Sequence, residues 1–148
     1  MDVKLRDGTV ATVEDSQLYE FPEGLFGFED FKKYAMVSSE YAPFIWMQSL
    51  ENEHLAFLIV DPFLVCDDYE VDIDEKTLSK IGITSPKDVC VMSVVTIPAN
   101  GNPITANLQG PLIINRKTNQ SMQVILNDNK WTTKFNIVQA LKNREAVC

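Results

Sequence analysis

The sequence predicts a mainly β protein in which about ten short, mostly antiparallel strands form a barrel or a sandwich. Three observations support this class. Short apolar or alternating runs dominate the chain, turn-forming residues separate these runs, and one segment alone carries both a helix start and a helix stop signal. The 148 residues show no internal repeat or linker, so we expect one domain over residues 1–148 with one sizeable core.

Ten segments of the chain match the strand pattern. The first two flank Asp7-Gly8, a strong signal for a two-residue hairpin turn. The run VCVMSVVTI is the richest in β-branched residues, which indicates a strand buried on both faces. In chain order the predicted strands cover residues 3–5, 9–13, 18–21, 35–38, 44–50, 55–60, 89–97, 104–108, 112–115 and 122–126.

One helix is predicted over residues 72–81. Asp72, with Glu75 three residues later, resembles a capping box, and Gly82 fits the position after the last helical turn. The apolar face of this helix is expected to cover an open end of the sheet. The segment 135–142 stays open between a strand, a short helix and neither.

The stretch FPEGLFGFED, residues 21–30, could be a glycine-rich ligand loop or a structural corner. Gly24 and Gly27 are not followed by a GK[ST] signature or by a long helix, which argues against a phosphate loop. We expect a corner in which Pro22 ends a strand and the glycines turn the chain. Residues 28–34 are predicted to form a short helical turn. The rings expected to face the sheet are those of Phe21, Phe26, Phe28 and Phe31.

The net charge of −8 argues against binding to nucleic acid or to anionic membranes and favours a basic partner. The longest strongly apolar run, residues 55–60, is too short to cross a bilayer, and the first residues lack the apolar core of a signal peptide. We therefore expect a cytoplasmic protein. Cys66, Cys90 and Cys148 form neither a disulfide framework nor a CxxC metal site, and the sequence assigns them no role.

No catalytic motif stands out in the chain. His54, the single histidine, lies in a polar turn without a nearby nucleophile, and the GxSxG and HExxH motifs are absent. We therefore expect no enzyme, no cofactor and no metal site. The 21 acidic residues nevertheless leave two alternatives open. These are a small-ligand β-barrel or barrel enzyme using a carboxylate pair, and a structural subunit that oligomerises through its strand edges.

The most informative polar segment is DDYEVDIDE, residues 67–75, in which carboxylates and apolar side chains alternate. In an extended chain this alternation places the carboxylates on one face and the apolar groups on the other. A calcium loop does not fit, because its glycine at position six is missing and Ser79 stands where the last glutamate belongs. Two interpretations stay open: an edge strand protected by its charges, or a face that binds a basic partner.

Five motifs occur in order along the chain: FPEGLFGFEDFKKY (21–34), PFIWMQSLE (43–51), FLIVDPF (57–63), VVTIP (94–98) and TANLQGPLIIN (105–115). Each motif alone is weak, but the series is specific and spans nearly the whole chain. Together the motifs closely resemble the FliW family of bacterial flagellar assembly factors. One departure is Gln109-Gly110, where relatives often carry alanine or a similar small residue.

The resemblance implies a β-rich pseudo-barrel with a short helical cap, which agrees with the strand count, and a regulator without enzymatic activity. Proteins of this family bind CsrA, a small dimeric RNA-binding protein that blocks translation of flagellin messenger RNA. They also bind flagellin itself. Flagellin that accumulates occupies the FliW-type protein, and secretion of flagellin frees that protein to capture CsrA. The resemblance thus predicts CsrA and flagellin as partners.

Two surfaces are predicted for these partners. CsrA carries positive charge to hold RNA, so we expect it to bind the acidic segment. The interacting segments of flagellin are helical, so we expect a more apolar site within residues 103–111. The predicted CsrA-binding residues are Asp67, Asp68, Glu70, Asp72, Asp74 and Glu75, and the predicted flagellin-binding residues are Ile104, Asn107 and Leu108.

Overall fold

Eleven strands and two α-helices form the part of the chain that the structure describes. The computed structural model describes residues 1–147 and the side chains of residues 1–142. Ten strands overlap the ten predicted segments, most of them with shifted ends. The segment 135–142, which the sequence left open, forms a two-residue strand at Phe135–Asn136 and then the first part of a helix at Val138–Val147. Within the described residues no helix is long and apolar enough to cross a membrane. The elements are β1 (Asp2–Lys4), β2 (Val10–Thr12), β3 (Leu18–Glu20), β4 (Lys33–Ser38), β5 (Ile45–Ser49), β6 (Ala56–Val60), α1 (Glu75–Ser79), β7 (Val89–Thr96), β8 (Thr105–Ala106), β9 (Leu112–Asn115), β10 (Ser121–Gln123), β11 (Phe135–Asn136) and α2 (Val138–Val147).

Nine of the strands form one antiparallel sheet in the order β10-β9-β7-β6-β5-β4-β3, with β8 and β11 branching from β7. The long strand β7 lies at the centre, because its first half pairs with β9 and its second half pairs with both β6 and β8. β1 and β2 form a separate hairpin that packs on β4 through Val3, Val13 and Ala35. The observed class is the predicted one, mainly β and antiparallel.

The two ends of the sheet, β3 and β10, approach each other without forming a continuous strand pair. One isolated parallel bridge joins Glu20 and Gln120. The Asn119 side-chain amide donates to the carbonyl oxygens of Ser16 (3.0 Å) and Leu18 (2.9 Å), and Gln120 Nε2 donates to Glu20 Oε1 (3.1 Å). In the described residues the sheet is therefore strongly curved, and one bridge and side-chain hydrogen bonds join its two edge strands. It is not a closed barrel, because these edge strands do not pair continuously.

The central strands are apolar on both faces, so the sheet has two cores. Along β6, Leu58 and Val60 face one side and Ile59 faces the other, as the period of two requires. The large core lies between the sheet and the segments 62–83 and 124–141. The small core lies on the other face and is covered by the loop 21–31.

The β1–β2 hairpin forms as predicted but has a longer turn. The Leu5 N–H donates to the Thr9 carbonyl (2.8 Å), which leaves three residues in the turn rather than two. Asp7 Oδ1 accepts from the backbone N–H (2.9 Å) and the hydroxyl (2.6 Å) of Thr9, and Gly8 has a φ of +90°. The aspartate side chain closes the turn, so the chain accommodates the third residue.

Helix α1 is shorter than predicted and has a different N-terminal cap. Asp74, not Asp72, accepts a hydrogen bond from the Thr77 N–H (2.6 Å). Ile73 packs against the large core and keeps the preceding backbone extended, so the helix begins two residues after it. Gly82, with a φ of +75°, follows the helix end as predicted.

The loop 21–31 departs from the prediction at its tip. Phe21 and Leu25 are buried in the small core and Phe31 packs against it, but Phe26 is 58% exposed. The Phe26 N–H donates to Gln123 Oε1 (2.9 Å), which holds the tip beside β10. Leu25 therefore fills the inward position that the prediction assigned to Phe26.

The predicted helical turn over residues 28–34 is also wrong. A single turn bond runs from the Phe31 N–H to the Phe28 carbonyl (3.1 Å), and β4 begins at Lys33. Tyr34 pairs with strands on both sides, and this pairing satisfies backbone groups that a helix would otherwise bond. Phe28 stays 38% exposed and places its ring edge-on to Phe57, with the centroids 5.1 Å apart.

Gly24→Ala is expected to destabilise the protein much more than Gly27→Ala. Both glycines have positive φ, +69° and +87°, which costs an alanine about 1–2 kcal/mol. A Cβ on Gly24 would also lie 2.5 Å from the Glu29 Cα, whereas a Cβ on Gly27 would meet nothing within 4 Å. In urea unfolding we expect G27A to lose about 1–2 kcal/mol of unfolding free energy and G24A at least about 3 kcal/mol. Equal losses would contradict the described packing of this loop.

Candidate functional site

The acidic segment, residues 67–75, begins in a turn at Asp67-Asp68, crosses the large core without helix or strand structure over residues 69–74 and ends at the first residue of α1. Tyr69 is 4% exposed, and Val71 and Ile73 pack against the same core. The carboxylates of this segment are all exposed. The predicted alternation is therefore confirmed, but the segment belongs to neither sheet, so it is not an edge strand.

A groove of about 300 Å³ separates part of the acidic segment, residues 70–74, from residues 124–128. Apolar side chains line it from both sides, and Ile125 stands 55% exposed at its margin. Four carboxylates also line the groove, three from the acidic segment and one from the opposite side, so that its lining is more polar than apolar. The lining residues are Glu70, Asp72, Ile73, Asp74, Thr77, Val124, Ile125, Leu126, Asn127, Asp128 and Trp131. We call this feature the acid-rimmed groove.

Lys130 brings one positive charge to the end of the acid-rimmed groove. Its Nζ lies 3.0 Å from Asp68 Oδ2 and 4.8 Å from the centre of the Trp131 ring. The Cys66 thiol and Lys130 both donate to Asp68 and lower the pKa of that carboxyl. Asp68 in turn raises the pKa of Lys130. Both side chains are largely exposed, so this ion pair adds little to stability.

The described cysteines are buried or half-buried thiols. Burial, together with the hydrogen bond to Asp68, raises the pKa of the Cys66 thiol to about 11. Burial also raises the pKa of Cys90, in β7. Neither thiol is therefore a reactive thiolate at neutral pH. Cys148 lies outside the described residues.

The Tyr69 side chain connects the acidic segment to residues 103–111, within which the flagellin contact was predicted. Its hydroxyl donates to the Leu108 carbonyl oxygen over 2.6 Å. Its ring packs edge-on to Trp131 with centroids 4.9 Å apart and also contacts Phe63. Burial raises the pKa of Tyr69 well above its ordinary value, so the hydroxyl stays protonated and remains a donor.

The residues predicted to contact flagellin have unequal access to solvent. Ile104 is half-buried against the large core, and Asn107 is half-buried with its Oδ1 accepting the Gly110 N–H (2.8 Å). Leu108 is 0% exposed, so its side chain would reach a partner only after a rearrangement. As a contact surface, this segment stays a prediction, with Ile104 and Asn107 as its accessible members.

The predicted CsrA-binding residues fall into two groups. Asp68 and Asp74 already have internal roles, as the partner of Lys130 and as the cap of α1. The side chains of the others are exposed and make no hydrogen bond or ion pair with another described residue. Only Glu70, Asp72 and Asp74 line the groove, so the fold brings half of the predicted set together there. The predicted CsrA-binding residues without an internal role are Asp67, Glu70, Asp72 and Glu75.

The opposite side of the acid-rimmed groove was missed by the sequence reasoning. Residues 124–128 and Trp131 lie about fifty positions further along the chain. A local pattern does not signal which distant segment packs beside it, and the polar turn at 127–129 resembles any other turn. Within the described residues no group of three or more His, Cys, Asp or Glu side chains could hold a metal ion. The arrangement offers four carboxylates beside apolar side chains, which suits a basic protein segment.

Tyr69→Phe is expected to lower the free energy of unfolding by about 1–2 kcal/mol. The change leaves the buried Leu108 carbonyl without its donor while keeping the ring contacts. Tyr41→Phe is the matched control, because Tyr41 is 67% exposed. Urea unfolding measures both, and a Tyr69 variant as stable as the Tyr41 variant would contradict the role of this bond.

Comparison with known proteins gives a consistent result. The family model described as FliW protein matches residues 4–137. The flagellar assembly factor FliW of Treponema denticola is 49% identical over 141 residues, which are 95% of this chain and 96% of that protein. The flagellar assembly factor FliW of Treponema pallidum is 43% identical over 146 residues, 99% of this chain and 97% of that protein.

Solved structures agree with the sequence comparison. A crystal structure of the flagellar assembly factor FliW superposes with a TM-score of 0.84 at 29% identity, covering 93% of this chain and 96% of the other. The matches extend over both cores and over the acidic segment. This chain belongs to the FliW family of flagellar assembly factors.

Proposed function

We propose that this protein is a flagellar assembly regulator without enzymatic activity, which binds the translational repressor CsrA and, as the competing partner, flagellin. The observation that carries the proposal is the acid-rimmed groove, whose lining combines four carboxylates with apolar side chains. Membership of the FliW family supports the assembly role, because the relatives are named flagellar assembly factors. The two partners are those that the family resemblance implies.

Charge supports CsrA as the occupant of the groove. A protein that holds RNA presents Lys and Arg side chains, whereas this chain carries a net charge of −8 and concentrates acids at one groove. Because charges at a rim act mainly on encounter, association should be fast at low salt and slow down as salt is added. Captured CsrA would be kept from messenger RNA, so repression of flagellin synthesis would be relieved. This action takes place in the cytoplasm, where translation occurs.

Flagellin is the partner that we place near Ile104 and Asn107. This surface lies close to the groove in the fold, because the Tyr69 hydroxyl bonds the Leu108 carbonyl and Leu126, which lines the groove, bonds Gln109. Occupation of one surface can thus affect the other, either by overlap of two bulky partners or through this connection.

The alternative, a small-ligand β-barrel or a barrel enzyme with a carboxylate pair, has less support. The small core inside the curved sheet is filled: Phe21, Tyr34 and Met47 are each 0% exposed. The clustered carboxylates lie at an exposed rim, whereas catalytic pairs occupy environments that push their pKa values apart. Because the small core is filled and the clustered carboxylates are exposed, neither feature supports ligand binding in the small core or catalysis by an acid pair.

Asp72→Lys is expected to weaken CsrA binding about tenfold at low salt, mainly through slower association. Asp72 is exposed and makes no hydrogen bond or ion pair with another described residue, so its reversal should leave the fold intact. Asp74 is a poorer position, because it caps α1. Surface plasmon resonance at two salt concentrations measures the association and dissociation rates of CsrA with the unaltered protein and with the variant.

Asp30→Lys is the matched control for this experiment. It changes the net charge equally but lies in the loop that covers the opposite face of the sheet. We expect a much smaller effect from it than from Asp72→Lys. Equal weakening by both variants would mean that net charge governs binding, and full retention by both would exclude the groove as the CsrA site.

Flagellin is expected to displace CsrA from this protein. With fluorescently labelled CsrA, added flagellin should lower the anisotropy of the complex towards that of free CsrA. A stable ternary complex in which the affinity for CsrA is unchanged would contradict the proposed competition.

A further inference from the structure

The backbone of the acidic segment has hydrogen-bonding groups with no internal partner. The Tyr69 N–H donates to the Cys66 carbonyl (3.2 Å), and the Asp74 carbonyl accepts from Leu78 (3.1 Å). Between these points the N–H and C=O groups of residues 70–73 bond no described residue. Burial alternates along residues 69–74 as it does in an extended chain, so we take these groups as the edge of an unpaired strand.

The other side of the acid-rimmed groove has the same property. The N–H groups of Val124 and Leu126 donate to the carbonyl oxygens of Pro111 (3.0 Å) and Gln109 (2.8 Å). In an extended chain the N–H groups of the intervening residues point to the opposite edge. The backbone groups of Ile125 and Asn127 accordingly bond no other described residue.

Both unpaired edges border the same groove. Every residue from 124 to 128 lines it, although the side chains of consecutive residues point to opposite faces of the strand. A groove that contacts consecutive residues in this way runs along the edge of the strand rather than over one face. Residues 70 and 72–74 line it from the other side. Two strand edges thus flank one slot.

We propose that this slot receives an extended segment of the basic partner, inserted as a β-strand between residues 70–73 and residues 125–127. This inference rests on the proposed function, because the partner that we name for the groove is CsrA. The inserted backbone would bond the free groups on either side, as in other cases of strand addition. A helix placed in the slot would leave those groups unpaired, because its own backbone bonds are internal.

The chemistry of the groove sets the pattern of the inserted segment. One face of an inserted strand would meet the apolar side chains that remain accessible, the exposed Ile125 and the half-buried Ile73, and the other would meet the rim carboxylates. The period of two therefore calls for apolar residues alternating with Lys or Arg over about four to six positions, an estimate from typical strand length.

The test removes one free N–H without changing charge. Ile125→Pro deletes the donor that points into the slot, and Ile125→Ala loses the same side chain but keeps the donor. Proline is tolerated on a strand edge where the N–H has no internal partner, and thermal unfolding verifies that both variants fold. Asn127→Pro with Asn127→Ala forms a second pair, in case proline at position 125 prevents folding.

The affinity of each variant for purified CsrA is measured by isothermal titration calorimetry. We expect each proline variant to bind about tenfold more weakly than its alanine counterpart, because one hydrogen bond is lost. Equal affinities within both pairs would overturn strand insertion and leave the proposed function standing. Absence of CsrA binding by the unaltered protein would instead overturn the proposed function, and the strand insertion with it.

Discussion

A sheet that is apolar on both faces has to be covered on both, and this constraint determines where the functional surface of the protein lies. The loop 21–31 covers the small core by burying Phe21 and Leu25. The long connection between β6 and β7 covers the large core through Tyr69, Val71 and Ile73. Because every second residue of this cover faces inward, the residues between are free to be acidic. The acid-rimmed groove is thus a consequence of how the large core is closed.

The sequence predicts most of the sheet, because its signal is local. Strands such as β6 and β7 are short apolar runs bounded by turn residues, and a few residues suffice to recognise them. Errors occur where tertiary contacts override a local preference. Asp72 and Glu75 match a capping box, yet the packing of Ile73 delays the helix and leaves Asp74 as the cap. The loop tip places Leu25 rather than Phe26 inside, because Gln123 holds the backbone of Phe26 from the far end of the chain.

For the candidate site, the sequence predicts one side and misses the other. The alternation of residues 67–75 is visible without a structure, whereas residues 124–128 become its neighbours only through folding. The same limitation affects the predicted flagellin contact. Leu108 stands between the polar residues Asn107 and Gln109, so the sequence allows it to be at the surface, but the fold buries it and its carbonyl accepts the hydrogen bond from Tyr69. Distinguishing a buried leucine from an exposed one requires knowing which face of the strand is covered.

We propose that the repressor CsrA binds in the acid-rimmed groove. Amide hydrogen exchange, followed with and without saturating CsrA, reports on this groove, because the backbone groups of residues 70–73, 125 and 127 have no internal partner among the described residues. In the free protein these amides should exchange fast. We expect CsrA to slow exchange at residues 70–74 and 124–128 and to leave exchange in the loop 21–31 unchanged. Slowed exchange confined to the loop 21–31, with the groove unaffected, would mean that CsrA binds elsewhere.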